Sequence, residues 1–199
     1  DLIHEIRRTR GDLIVRADDF AGFSRGARFY PFLYLMTRTC KARDWDTGVE
    51  LSNHLLGQMS RLEVHHIFPK TLLYAQGWPR REVNALANLT FLTKETNLRV
   101  HSRNPAVYLA EYAGSDPTLI TSHWIPSDRA LWELSNYREF LVERRRLLAS
   151  EANTLLEDLL AGRMPEAETV GAVTDRTGAF VPGGIDSDEE QAVLDEVND

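Results

Sequence analysis

Two short runs, LEVHHIF over 62–68 and NLTFLT over 88–93, read as β-strands in a chain whose other apolar stretches read mostly as helix. The first is rich in β-branched and aromatic residues and is stopped by Pro69. The second sets Leu89 and Phe91 against Thr90 and Leu92, so alternate residues point to opposite faces. Between them, TLLYAQGW and PRREVNALA predict two short helical turns on a long surface connection. KETNLRVHS then begins a helix, and Pro105 limits how far it can run. The order is strand, loop, strand, helix, within an α+β chain that is mostly α.

The flanks are helical. GARFYPFLYLMTRTCKA (26–42) predicts a largely buried helix if Pro31 lies in its first turn. RDWDTG is a turn, and VELSNHLLGQMS a short helix or a loop. AVYLAEYA is a further helical piece, and Ser127 is placed to N-cap DRALWEL. Phe140, Leu141, Leu147, Leu148, Leu155, Leu156, Leu159 and Leu160 keep a three-to-four spacing that Gly162 closes. The expected organisation is a mainly helical segment over 1–60 packing on the core, a core over 61–112, a C-terminal helical extension over 113–164 and an acidic, disordered tail over 165–199. The chain begins without methionine and in mid-pattern, as a fragment of a longer protein would.

Net charge is −7 over 199 residues, yet its distribution matters more than its total. From Pro165 onward ten acids face one base, so the rest of the chain sums to +2. Between Arg61 and Arg103 seven Lys or Arg stand against three acids, a balance that permits a polyanionic partner without demanding one. The single cysteine, Cys40, rules out an internal disulfide and a multi-cysteine zinc knuckle, and its apolar surroundings predict a buried thiol. There is no apolar run of the ~18–20 residues that a membrane span needs. A reducing cytoplasm fits these features.

The residues with chemistry lie in the strand–loop–strand–helix stretch. EVHHIFPK puts His65 and His66 side by side; Asn88 opens the second strand and Asn97 enters the following helix. On EVHHIFPK, NALANLTFL and TKETNLRVHSRNPAVYL the chain resembles the HNH (ββα-metal) endonucleases, over roughly residues 62–109. The resemblance is closest to the C-terminal HNH domain of GmrSD-type restriction and phage-defence proteins, and HWIPSDRALWELSNYREFLVERRRLLA is similar to the helical segment that follows it there. The nucleotide-binding N-terminal half of those proteins has no counterpart here.

The resemblance implies a ββα-metal core and four roles. His66 would be the general base and His65, where aspartate is common, a metal ligand. Asn88 would belong to the catalytic set by bracing the loop and the base's backbone, and Asn97 would be the helix-borne second ligand. It implies DNA as substrate (phage or foreign, possibly modified), a bacterial cytoplasmic setting and an N-terminal nucleotide-binding regulatory domain as partner.

The chemistry is coherent on its own terms. A neutral imidazole, with a reference pKa of about 6.5, can take a proton from water near neutral pH. A divalent cation can neutralise charge on the phosphate and stabilise the leaving oxygen. Oxygen ligands suit Mg²⁺, whereas an imidazole suits Mn²⁺, Ni²⁺ or Zn²⁺, so Mg²⁺ or Mn²⁺ is expected ahead of Zn²⁺ or Ni²⁺.

His101 lies four residues after Asn97, and a continuing helix would put it on the same face as a further metal or phosphate contact. Glu63 reads as a solvated strand residue or a support for the ligands. Lys70, Arg80, Arg81, Lys94, Arg99 and Arg103 are candidates for the DNA backbone. The competing readings are a non-catalytic nucleic-acid-binding module of the same fold and a structural zinc domain, the latter weakened by the lack of ligand cysteines. If both histidines serve one site, the pleat is expected to break or twist strongly at His65–His66.

Overall fold

The computed structural model describes residues 13–23, 26–52 and 62–163. Most of VELSNHLLGQMS, with His54, and the tail over 165–199 lie outside the described residues. The elements are α1 (Tyr30–Thr39), β1 (Glu63–His66), α2 (Lys70–Ala75), α3 (Arg80–Val83), β2 (Leu89–Leu92), α4 (Lys94–Val100), α5 (Pro105–Ser115), α6 (Pro117–Thr121) and α7 (Tyr137–Leu160). Short 3₁₀ turns occupy Ala17–Phe20, Leu86–Asn88, Arg129–Trp132 and Leu134–Asn136. The α+β, mostly α class is the one expected. None of the described helices is long and apolar enough to cross a membrane.

β1 and β2 pair antiparallel, with Glu63 opposite Leu92, Val64 opposite Phe91, His65 opposite Thr90 and His66 opposite Leu89. Ile67 N–H continues the ladder onto the Asn88 carbonyl at 2.8 Å. α4 follows β2 after one residue and packs on β1, giving a two-stranded sheet with a helix against it.

Both faces of this small sheet are covered, which is why the strands carry apolar residues in both phases. Leu89 and Phe91 join Phe20, Leu33, Met36, Leu148 and Ala152 on one side, with Val64 packed against them. Leu92 and Ile67 join Trp45, Phe68, Tyr108 and Phe140 on the other. Burying a Leu or Phe side chain contributes roughly 1.5–3 kcal/mol, so two clusters of this size hold a two-stranded sheet that would be marginal alone.

Pro31 falls in the first turn of α1, where its missing N–H costs nothing. α7 buries Tyr137, Phe140, Leu141, Arg144, Leu148, Ala149, Ala152 and Leu155, one stripe at helical spacing. Leu159, expected on that stripe, is 37% exposed. Gly162 follows the helix at φ +72°, the left-handed conformation suited to a glycine at a helix end.

Arg144 is the unexpected member of the stripe. Fully buried, it donates from Nη1 to the Ala87 and Leu89 carbonyls at 2.7 Å each and from Nη2 to the His123 carbonyl at 3.2 Å. It satisfies carbonyls at the start of β2 that short secondary structure leaves over.

The N-cap expected of Ser127 belongs to Asp128. The Asp128 carboxylate accepts from Ala130 N–H at 3.0 Å and opens a 3₁₀ turn rather than an α-helix. A carboxylate one residue later reaches the free N–H groups of so short a turn.

Candidate metal centre and base

Glu63 and His65 are two apart on β1 and share the face that carries Thr90 and Leu92 of β2. Asn97 reaches down to both from α4. Its Nδ2 donates to Glu63 Oε2 at 2.8 Å, and its Oδ1 lies 2.8 Å from His65 Nδ1. An ionised carboxylate only accepts, so the amide hydrogens of Asn97 must face Glu63 and its oxygen must face His65. His65 is therefore the donor, through Nδ1–H.

The His65 ring is 4% exposed and packs edge-on against Trp45, with ring centroids 5.5 Å apart. Its Nε2 has no hydrogen-bond partner among the described residues. Burial pushes the imidazole pKa down to about 4, against a smaller upward pull from Asn97, so the ring is neutral at physiological pH. Neutral imidazole is the form that binds a metal.

Trp45 also meets a second buried histidine, His123, at 5.4 Å. His123 donates from Nε2 to the Arg43 carbonyl at 2.8 Å and faces the Thr90 hydroxyl through Nδ1 at 2.6 Å. Both ring nitrogens are used, and His123 acts as a strut between β2 and the 43–50 loop.

His66 has a different partner. Its Nε2 lies 3.1 Å from Oδ1 of Asn84, at the end of α3, and Asn84 Nδ2 donates to the Arg80 carbonyl at 3.2 Å. That second bond fixes the Asn84 amide with its oxygen toward the ring. His66 then presents a hydrogen on Nε2 to that oxygen.

Asn88 is wholly buried and braces the turn after β1. Its Oδ1 accepts from Phe68 N–H at 2.8 Å, and its Nδ2 donates to the Phe68 and Val83 carbonyls at 3.0 and 2.9 Å. It touches backbone on both sides of the connection between the strands.

The expected break in the pleat is absent: the ladder runs unbroken through His65 and His66. The pair is divided across the sheet, His65 beside Asn97 and His66 beside Asn84. Cross-strand pairing on both residues holds the alternation, and the chain bends only at Ile67 and Phe68.

His101 does not join Asn97. α4 ends at Val100, His101 turns away at φ +42°, and its exposed ring lies 2.8 Å from the Ser102 hydroxyl. The premise of a continuing helix is corrected by that turn.

The basic candidates are dispersed. Lys70 opens α2 and Arg80 and Arg81 open α3, with Arg81 over the Phe23 ring at 5.5 Å. Lys94 is exposed at the start of α4, while Arg99 pairs with Asp46 and Arg103 with Glu111.

In donor type the Glu63–His65–Asn97 cluster fits a divalent cation: an imidazole nitrogen and an amide oxygen side by side, with a carboxylate adjoining. Among the described residues no three His, Cys, Asp or Glu side chains gather as a tight metal cage would require. A cation here would have a sparse protein shell completed by water and substrate oxygens.

Asn84 and Trp45 were not legible as site residues in the sequence. The signal for Asn84 was its place four residues before Asn88 in NALAN, the spacing of one helical turn. Set against known proteins, the chain matches no family model, no curated protein and no solved structure.

Proposed function

We propose that this chain is a metal-dependent endonuclease domain of the HNH type, hydrolysing DNA phosphodiester bonds as the effector part of a bacterial restriction or antiphage protein. The observation that carries the reading is the convergence of His65 Nδ1 and Asn97 Oδ1, 2.8 Å apart on a strand and the helix packed against it. The neighbouring histidine is held by Asn84 on the other face of an unbroken ladder, which counts against a single site shared by both imidazoles.

In this reading His65 and Asn97 hold Mg²⁺ or Mn²⁺, and Glu63 keeps the Asn97 amide turned oxygen-first toward it. The bound cation would polarise the phosphoryl oxygens and stabilise the departing 3′-oxygen. His66 takes the proton of the attacking water, while Asn84 holds its Nε2. Asn88 keeps the backbone after His66 in place. Lys70, Arg80, Arg81, Lys94, Arg99 and Arg103 are the cations proposed to meet the DNA backbone, with a nucleotide-binding domain elsewhere in the same protein as regulator.

A second reading, a nucleic-acid-binding module without turnover, is favoured by the unbroken ladder and by the burial of His65. Plasmid nicking with Mg²⁺, Mn²⁺ and EDTA, comparing wild type with His66→Ala, separates the two. The nuclease reading expects metal-dependent nicking that His66→Ala slows on the order of 10²–10⁴-fold. Salt-sensitive DNA binding with no cleavage under any cation would replace it with the binding module.

A further inference from the structure

The turn RDWDTG lies outside the strand–loop–strand–helix stretch, yet three consecutive residues of it grip the candidate centre. Asp44 is fully buried. Its Oδ1 accepts from the Thr96 hydroxyl at 2.6 Å, from Thr47 N–H at 3.1 Å and from the Thr47 hydroxyl at 3.0 Å. Its Oδ2 accepts from Thr93 N–H at 3.2 Å and from the Thr93 hydroxyl at 2.8 Å. Thr93 is the N-cap of α4, and Thr96 immediately precedes Asn97. Trp45 packs on the His65 ring, and Asp46 pairs with Arg99, two residues beyond Asn97.

We propose that Asp44 is the positioning residue of the candidate metal centre, fixing the first turn of α4 so that Asn97 Oδ1 stands beside His65. The inference rests on the reading of His65 and Asn97 as ligands. The chemistry is specific to a carboxylate. Each oxygen of Asp44 faces a backbone N–H, Thr47 on one side and Thr93 on the other. An asparagine would have to aim its own N–H₂ at one of them. Burial leaves no water to relieve that clash, so the loop or the helix must shift. Ligands are held to the accuracy metal binding needs by such supporting bonds, whose loss typically weakens binding ~10–100-fold.

The test uses the full 199-residue chain and Mn²⁺ alone as probe, titrated by calorimetry into wild type, Asp44→Asn, Thr96→Val, Thr96→Ser, Asn97→Ala and Asp44→Asn/Asn97→Ala. Asp44→Asn and Thr96→Val are expected to weaken Mn²⁺ binding about 10-fold or more, and Thr96→Ser, which keeps the hydroxyl, to restore it. In the Asn97→Ala background Asp44→Asn is expected to have no further effect on Mn²⁺. An equal additional loss there would overturn the proposal, because Asp44 would then act by general destabilisation.

The side-chain NH₂ resonances of Asn97 in metal-free protein give an independent reading. They are expected to move in Asp44→Asn and Thr96→Val, and unmoved resonances overturn the positioning role whether or not metal binds. Thr96→Val carries the test if Asp44→Asn does not fold. Wild type that binds no Mn²⁺ would remove the metal reading, and this inference with it. Wild type that binds while both variants bind equally well would remove this inference alone.

Discussion

Asn97 and Glu63 form a one-way pair: the Asn97 amide donates to a Glu63 oxygen 2.8 Å away, and this decides which of its two ends faces His65. Glutamine at position 63 can donate as well as accept, which frees the amide to turn. Glu63→Gln is therefore expected to raise the Mn²⁺ concentration needed for half-maximal nicking about 10-fold, and Asn97→Ala to raise it further. Unchanged metal dependence in Asn97→Ala would remove it from the ligand set.

The Nδ1–H of His65 must be given up for a cation to bind at that nitrogen. The proton then sits on Nε2, which is buried with no partner among the described residues. An aspartate at the same place has no tautomer to change and offers the oxygen that Mg²⁺ prefers. His65→Asp is expected to bind Mg²⁺ at least ~10-fold more tightly than wild type. Equal or weaker Mg²⁺ binding by calorimetry would show that position 65 does not touch the metal.

Asn84 holds its Oδ1 3.1 Å from His66 Nε2. Replacing it with aspartate puts a negative charge against Nε2–H, which favours the protonated imidazole. The acid limb of the pH–rate profile for nicking is expected to move to higher pH in Asn84→Asp. His66→Ala is expected to lose on the order of 10²–10⁴-fold in rate while keeping its metal requirement. Profiles that coincide for wild type and Asn84→Asp would separate Asn84 from the base.

His65 and His123 make stability pH-dependent. Burial holds both imidazoles down at about 4 in the folded protein, against about 6.5 in an unfolded chain. Above about pH 6.5 neither form is protonated and stability is full. As pH falls toward about 4, the unfolded chain binds protons that the folded one refuses, and stability is lost across that window. The loss is on the order of 3 kcal/mol per histidine and levels off below the folded pKa. Urea midpoints from about pH 7.5 to 4 measure it, and His123→Gln is expected to remove about half the slope.

Asn88→Ala exposes no new surface but strands Phe68 N–H and the Phe68 and Val83 carbonyls in the core. With each stranded buried group costing about 1–3 kcal/mol, a loss of at least ~3 kcal/mol is expected in chemical denaturation. A change below ~1 kcal/mol would mean that water replaces the side chain and that Asn88 is not a brace.

Much of the local structure was legible in the sequence. The two strands follow from β-branched runs and Pro69, the start of α1 from Pro31, and the end of α7 from Gly162; each depends on a few neighbouring residues. His65, His66, Asn88 and Asn97 were singled out from their order along that pattern. The turn at His101 and the shift of the cap from Ser127 to Asp128 lay at element ends, where single-residue differences are least legible.

Only the tertiary structure decided how these groups are used. The division of His65 from His66 follows from a ladder that stays in register through both residues. The bond from Thr96 to Asp44 joins residues 52 apart, and that from Thr90 to His123 residues 33 apart. Such pairings are set by the need of every buried polar group to find a partner once the two apolar faces have closed over the sheet. Propensity acts between neighbours in sequence, whereas that need acts between neighbours in space, which is why the candidate residues were visible in the chain and partners such as Asn84 and Asp44 were not.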